Sequence, residues 1–580
     1  MGEGNKINLQ VIHGWNRYPE SRILGKIKSM SLHPQPIPPV PEETSRVTRA
    51  AFPKGSIYLK IRDTLGSIYV DEDFADLFSI KGQPAQSPWR LALICVMQYM
   101  ENLSDRQAAD AVRGRIDWKY ALSLPLEDSG FDFSALSEFR KRLIEGEAEE
   151  LLLNRILEQL REKELIKEHK RQRTDSTHIL AAIRPLNRLE TLGETMRAAL
   201  NSLAVVAPDW LAKRLKKDWF DRYGRRVENY RLPKLDSQRE NLGNQMGEDG
   251  FNLLKKVYAP NAPEWLRLIP AVEILRIVWV QQFYAPVEGK VKWRSPKDMP
   301  PSTVAIHSPY DVEAHYSSKR SVNWVGYKAH VTEICDEDTP HFITHVQTTL
   351  STVTDEAVVE PIHQALSSKS LLPEEHLMDL GYVTAGHLVS AQGNYGIELI
   401  GPVRNDPTWQ AKHHPKFANS NFQIDWDKQV AVCPKGHQSK GWKKKTDSKG
   451  QPLINIRFSQ LDCSPCPSRS RCTRAKIEPR GLTILPKPEY TALHSRREVQ
   501  HTPKFLKTYN KRAGIEGTIS QGVRRSALRQ SRYIGLAKTH LQHIFMAAGL
   551  NLCRLNDWLD DVPLAATRYS GFTTLKQKTG

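Results

Sequence analysis

Long apolar runs are absent from this chain. The longest, LALICVMQYM at 91–100, ends at once on Glu101 and falls short of the ~18 consecutive apolar residues of a membrane-spanning helix. The first residues, MGEGNKINLQ, contain no apolar core of the kind a secretory signal needs. Cysteine is sparse and odd in number, seven in 580 residues, which argues against a secreted disulfide framework. No internal repeat is present. Acidic side chains are in deficit, 65 against 83 Lys and Arg, for a formal charge of +18 and a pI near 9.4. That imbalance calls for a polyanionic partner, either nucleic acid or an anionic membrane surface. The chain reads as a soluble intracellular protein with a basic face.

Residues 1–29 differ in texture from the rest of the chain, and Met30 opens the Pro-rich, extended SLHPQPIPPVPEE. Met30 as the natural start, with 1–29 as an upstream extension, is one reading of that change. From 88 to about 145 the pattern is helical. ENLSDRQAADAV carries a capping box, Ser104 with Gln107, and FDFSALSEFRKRL places Arg140, Lys141 and Arg142 near a helix end. Such short basic helices suit a helix-turn-helix DNA reader and equally an ordinary bundle. Leu186, Leu189, Leu192, Met196, Leu200 and Leu203 form one helical stripe, read as core packing. Helices are predicted at 209–220 and 263–283, with a polar, mobile stretch at 231–250. WVGYKAHVTEI (324–334), HFITHVQTTLS (341–351), HLMDLGYV (376–383) and IELIGPV (397–403) read as strands, and EAVVEPIHQALSSK (356–369) as a helix. Strands, a helix and further strands predict a mixed α/β sheet flanked by helices.

Three acidic residues sit in odd places. Asp175 lies in RTDSTHI, which reads as a strand, although Asp-Ser-Thr is also good N-cap chemistry. Asp379 lies in apolar strand text ending at Gly381, where a lone carboxylate is normally paired, protonated or on a metal. Glu516 is one acid in the cationic RAGIEGTISQGVRR, where pairing with Arg512 one turn back is the plain alternative. Taken together, two strand aspartates and a helix glutamate suit phosphoryl transfer. Hard Mg²⁺ or Mn²⁺ ions take oxygen ligands, and two of them about 3.5–4 Å apart can serve both the attacking and the leaving oxygen. Asp336, Asp338 and Asp355 are rivals for the second acid. The first two sit in a polar turn, and Asp355 stands where a helix N-cap belongs, so Asp379 fits best.

Four of the cysteines cluster. Cys433, Cys463, Cys466 and Cys472 lie in a stretch, 431–480, with twelve Lys and Arg against three acids. Their spacing predicts a closed, structural Zn²⁺ site of zinc-ribbon type, with His437 as a reserve ligand. Four free thiols in a basic loop are the alternative. Cys95, Cys335 and Cys553 lie in or beside apolar text and read as core residues.

RTDSTHI, HLMDLGY and YNKRAGIEGTISQGVRR together resemble the DDE transposases of bacterial insertion sequences, most nearly the insertion-sequence group numbered eleven-eighty-two. SPYDVEAHYSSKRSVNWVGYKAH and SDRQAADAVRGRIDWKYAL resemble that group too, so the likeness spans nearly all of 30–560. It implies a ribonuclease-H-like core in which Asp175, Asp379 and Glu516 hold the metal, Mg²⁺ or Mn²⁺, with Asp175 bridging two ions. Tyr509 and Arg512 fit the family's Tyr-Arg-Glu-Lys signature. At its final Lys this chain has Val523, with Arg524 and Arg525 following, and these arginines are assigned to DNA contact.

The domain reading that results is 1–87, extension and Pro-rich region; 88–165, helical DNA-binding domain; and 166–183, first core strand. It continues with 184–300, helical insertion; 301–403, core strands and helix; 404–493, Cys-rich basic insertion; 494–560, C-terminal catalytic helices; and 561–580, tail. The implied function is binding of element inverted repeats, DNA cleavage and strand transfer, in a homodimer or larger synaptic complex at the bacterial nucleoid. A non-catalytic DNA-binding protein on the same fold, or a nuclease without joining activity, is the alternative.

Overall fold

The structure, a computed structural model, describes residues 30–166, 171–284, 290–319, 321–337, 339–448 and 450–563. The extension 1–29, Asp338 and the tail from 564 lie outside the described residues. The chain divides into two units, one holding residues up to 95 together with 103–151, the other holding 96–102 and everything from 152.

The first unit is helical. Met30–Ser31 (β1) and Gln83–Pro84 (β2) form a short parallel pair. Helices run over Glu42–Ala51, Ile57–Leu65, Asp105–Gly114, Ile116–Ala121 and Ser134–Glu145, with a 3₁₀ turn at Asp71–Leu77. Of the region read as 1–87, the described residues 30–41 hold no helix, and helices begin at Glu42, whose acidic first turn favours the positive helix end. The capping box forms as predicted: Ser104 Oγ accepts from the Gln107 N–H at 3.3 Å, and Gln107 Oε1 accepts from the Ser104 N–H at 2.9 Å. The basic triplet behaves differently from the expectation. Arg140 is buried and donates to Asp105 at 3.0 Å, while Arg142 reaches the Leu77 carbonyl and lies over the Phe78 ring. Lys141 alone of the three is exposed, with Glu145 one turn on at 3.5 Å.

The second unit is built on a six-stranded mixed sheet of Arg171–Leu180 (β3), His315–Lys319 (β4), Val322–Ile334 (β5), Ile343–Leu350 (β6), Glu375–Leu377 (β7) and Glu398–Ile400 (β8). The order is β4-β5-β3-β7-β8, with β6 also on β5. β3 runs antiparallel to β5 and parallel to β7. The strand predicted to reach Gly381 stops at Leu377. The chain turns there because the Asp379 carboxylate and carbonyl accept from the N–H groups of Gly381 and Tyr382. Thr384 then caps the helix Ala385–Tyr395.

Between β3 and β4 lies the predicted helical insertion. Leu189, Leu192, Met196 and Leu203 are fully buried in its own core, as the stripe implied. The predicted helices at 209–220 and 263–283 are each broken, into Pro208–Ala212 and Asp218–Tyr223, and into the 3₁₀ turn Glu264–Leu268 and Pro270–Gln282. The stretch 231–250, expected to be mobile, instead contributes most of a 22-residue helix, Asp236–Val257. Its packing face is made of glycines. A Cβ on Gly243, Gly247 or Gly250 would overlap Trp293, Phe283 or Trp279 respectively. Within 231–250 the apolar half of each glycine contact comes from another segment, and apart from Met246 the helix's own buried apolar residues, Leu253, Leu254 and Val257, follow only after that stretch.

The Cys-rich segment forms Gln423–Asp425 (β9) with Val430–Val432 (β10), and a three-stranded sheet of Gly441–Thr446 (β11), Pro452–Arg457 (β12) and Gly481–Ile484 (β13), over a small core of Phe422, Ile456 and Leu482. Helices at Lys487–Val499, Pro503–Tyr509, Ile515–Ser526 and Leu536–Leu559 complete the described chain. Cys95, Cys335 and Cys553 are buried, as predicted. Among the described residues no helix is long and apolar enough to cross a membrane.

Candidate active site

Asp175 occupies the middle of β3, opposite Val331 of β5, and caps no helix. The β3–β7 ladder covers only Arg171–Arg173. The edge of β3 is therefore clear of β7 at Asp175, and the turn after β7 brings Asp379 into electrostatic range. Burial pushes the Asp175 carboxyl above its usual range, and the like charge of Asp379 adds to this. The Ser176 N–H, donating at 2.7 Å, and Arg512, whose Nη1 lies 2.7 Å from Oδ2, oppose the shift.

Arg512 arrives from far along the chain, on the 3₁₀ turn Asn510–Gly514. That turn is anchored by Arg173, which donates to the Lys511 carbonyl at 2.7 Å. A Cβ on Gly514 would lie 2.1 Å from the same guanidinium, so a side chain there would have to displace Arg173. Arg173 in turn faces Glu333 directly across β3 and β5 and donates to it at 2.7 Å. Glu333 has no exposed surface and also accepts from Arg554, at 2.8 Å, and from Thr518. Burial pushes the Glu333 carboxyl up, but Arg554 and Arg173 together hold it below the usual range. Tyr509 stacks on Phe505, and Arg512 lies over the Tyr509 ring at 5.8 Å.

Asp175, Asp379, Tyr509 and Arg512 are thus brought together. Glu516 is not. It is exposed in the first turn of Ile515–Ser526 and makes no hydrogen bond or ion pair among the described residues. The i−4 pair with Arg512 does not form, because Arg512 serves Asp175. Arg524 is exposed and bonds back to the Ser520 carbonyl, while Arg525 points Nη1 at Cys553 Sγ, 3.2 Å away on the last helix.

Asp355 stands where the sequence places a helix cap, but the structure gives it another role. Thr354 holds the N-cap position, and no side-chain cap bond forms. The Asp355 carboxylate instead takes Lys328 at 3.3 Å and Lys319 at 3.4 Å, with Ser176 Oγ 3.4 Å away. Burial pushes its carboxyl up, and Lys328 and Lys319 hold it down. A Cβ on Gly381 would touch Asp379 Oδ1 at 3.1 Å and Asp355 Oδ2 at 3.2 Å, so these two carboxylates flank one point. The signal in the sequence is the pair of lysines in HYSSKRS and WVGYKAH, each in otherwise strand-like text.

The donor set at Asp175 and Asp379 fits a hard cation. Two oxygen-donating carboxylates lie within electrostatic range of each other, with Arg512 as the positive charge against Asp175. Glu516 does not converge on them, and among the described residues no group of three or more His, Cys, Asp and Glu is drawn together to hold a metal ion.

The four clustered cysteines line a single cavity of about 30 Å³ together with His437, Asp462 and Arg469. The Lys435 N–H donates to Cys433 Sγ at 3.4 Å from a turn that Gly436 closes at φ +85°. Burial raises the Cys472 thiol to about 11, with Cys463, Cys433 and Cys466 adding to the rise against Arg480.

Two family models match the chain. Residues 432–556 match one described as a Transposase DDE domain, and residues 46–142 match one described as a Transposase domain (DUF772). The first span contains the four cysteines, Tyr509, Arg512 and Glu516, but neither Asp175 nor Asp379. Comparison with curated proteins and with solved structures found no match. A DDE domain implies DNA as partner and a divalent metal such as Mg²⁺, and the mixed sheet fits a ribonuclease-H-like core. An N-terminal transposase match and a C-terminal DDE match, the latter over the segment that delivers Arg512 to Asp175, together support a DDE transposase of an insertion sequence.

Proposed function

We propose that the protein binds the terminal inverted repeats of its element and catalyses metal-dependent DNA cleavage and strand transfer. Asp175 and Asp379 are the carboxylates that hold the metal, Mg²⁺ or Mn²⁺, and Glu516 is the third. The observation that carries the reading is Arg512 on Asp175, a cation from the C-terminal helices meeting a half-buried strand acid that Asp379 crowds. Glu516, one helical turn beyond Arg512, is committed to no bond that metal binding would have to break. A divalent ion, when bound, supplies Lewis-acid polarisation of the phosphodiester and a more acidic attacking hydroxyl. The chain's own part is positioning. The Arg173–Glu333–Arg554 network fixes the turn of Arg512, and Arg512 with Tyr509 orients the DNA backbone at the cut. Arg524 is the freer of the two arginines assigned to DNA, since Arg525 is engaged with Cys553.

The four cysteines form, on this reading, a structural Zn²⁺ site. Their spacing and the common cavity they line support it. Joining two element ends calls for at least a homodimer. The exposure of Glu516 favours the second reading, a DNA-binding protein without chemistry; a nuclease that cuts without joining would need the same acids as the transposase.

A strand-transfer assay on the matching element ends separates these readings. Asp175→Asn, Asp379→Asn and Glu516→Gln should each keep end binding while product formation falls roughly 10²-fold or more. Asp175→Asn should melt no lower than wild type, because the carboxylate it removes is disfavoured by burial and by Asp379. Normal joining by Asp175→Asn would sink the assignment, and cleavage without joining by the wild type would favour the nuclease.

A further inference from the structure

We propose that Lys319 and Lys328, held side by side by Asp355, form a seat for a DNA backbone phosphate next to the one at which Asp175 and Asp379 act. The inference rests on the transposase reading above. The two ammonium groups come from neighbouring strands, β4 and β5, and divide one carboxylate between them, Lys319 on Oδ2 at 3.4 Å and Lys328 on Oδ1 at 3.3 Å. Lys319 Nζ also lies 3.3 Å from Ser176 Oγ, the residue after Asp175. Lys328 is tied down by donating to the Val353 carbonyl at 2.6 Å. Asp355 thus holds both lysines, and Lys319 also lies close enough to Asp175 to oppose the upward shift of its carboxyl.

Desolvating an ammonium group is costly unless an anion answers it; Asp355 answers Lys328, whereas Lys319 keeps an open side on which a second anion can sit. The Lys328 side chain is 13% exposed and that of Lys319 is 47% exposed, so the seat has a fixed inner wall and an open outer one. Its position also points to substrate. Asp355 and Asp379 flank the same point beside Gly381. Ser176 faces away from Asp175 by strand alternation, but the β7 ladder ends at Arg173, so both sides of β3 are reached around that edge. A phosphate has the charge and the acceptor oxygens that two lysines and a serine hydroxyl bind.

Element-end DNA carrying one neutral methylphosphonate linkage at a time, scanned across the cleavage position, tests the seat by both end binding and strand transfer. In wild-type protein one non-scissile linkage should weaken binding and transfer about tenfold when neutralised. Lys319→Gln should be indifferent at that linkage and keep its sensitivity at the others, while Lys319→Arg should restore the wild-type profile. An unchanged profile in Lys319→Gln overturns the seat, as does activity lost uniformly at every linkage. If the wild type joins no DNA the transposase reading fails, and the binding scan alone then decides the seat. If Lys319→Gln does not fold, Lys319→Met takes its place with the same expected and overturning outcomes.

Discussion

Glu333 makes no contact with the candidate metal ligands, yet it governs where one of their partners stands. Its carboxylate has no exposed surface and takes two arginines and a threonine hydroxyl. Removing its charge leaves Arg173 and Arg554 buried without compensation, which costs about 3–5 kcal/mol. Glu333→Gln should therefore show a lower denaturation midpoint at neutral pH by that margin. The carboxyl is held below its unfolded value of about 4.3, so its contribution is fully present above that pH and disappears as pH falls through the folded value. The gap between wild type and variant should close on acidification, measured by denaturant melts at neutral and acid pH. A constant gap would mean that shape rather than charge is the source. The same substitution should loosen the Arg512 turn, because Arg173 binds both Glu333 and the Lys511 carbonyl.

At the scale of elements, the Cys-rich segment is the least self-sufficient. Its core is a handful of residues around Ile456 and Leu482, with Cys433, Cys463 and Cys472 packed at its margin. Metal binding in such a segment is folding energy. Purified protein should hold close to one zinc per chain, Cys466→Ser should lower that content, and a chelator should open 431–480 to protease. Full protease resistance in metal-free protein would end the zinc assignment. The helical insertion is the opposite case. Its core holds Trp279, Phe283 and Met246 with the Leu189–Leu203 stripe, and it needs no ligand to close. Gly250 sits where a Cβ would meet the Trp279 ring at 2.1 Å, so that helix approaches its neighbour as closely as backbone allows.

For the molecule as a whole, the charge of +18 is what remains after every acid is set against a base, so the cations that meet DNA are ones other than those held in internal pairs. Arg140, Arg173 and Arg554 are occupied by buried or half-buried acids. Affinity for element ends should still fall steeply with salt, each neutralised phosphate adding about −0.9 to the log–log slope. Titrations at several salt concentrations give that slope directly. A nearly flat response would show that the surplus charge serves something other than DNA. Lys319→Gln should make the slope shallower by about one phosphate, which ties the whole-molecule measurement to the seat beside Asp355.

Much of this is legible in the linear text wherever the signal is local. The Ser104–Gln107 capping box, the Leu189–Leu203 stripe, the strand around Asp175 and the spacing of the four cysteines each depend on residues within a turn or a short run. Local propensity writes such features directly into the order of residues. The stretch 231–250 hides its helix because its packing face is glycine and the rings that fill it belong to other segments. Arg140 reads as a surface residue because nothing near it in sequence announces Asp105. The decisive pairings join residues hundreds of positions apart, Arg512 with Asp175 and Arg554 with Glu333. Lys319, Lys328 and Asp355 likewise meet only because β4 and β5 pair in one register. Composition and motif order thus determined that a basic chain carries one acid on a strand, another in apolar text just beyond a strand, and a cationic C-terminal helix. Which charges neutralise one another was decided by strand register and helix docking, since Coulomb energy follows distance in space and is blind to distance along the chain.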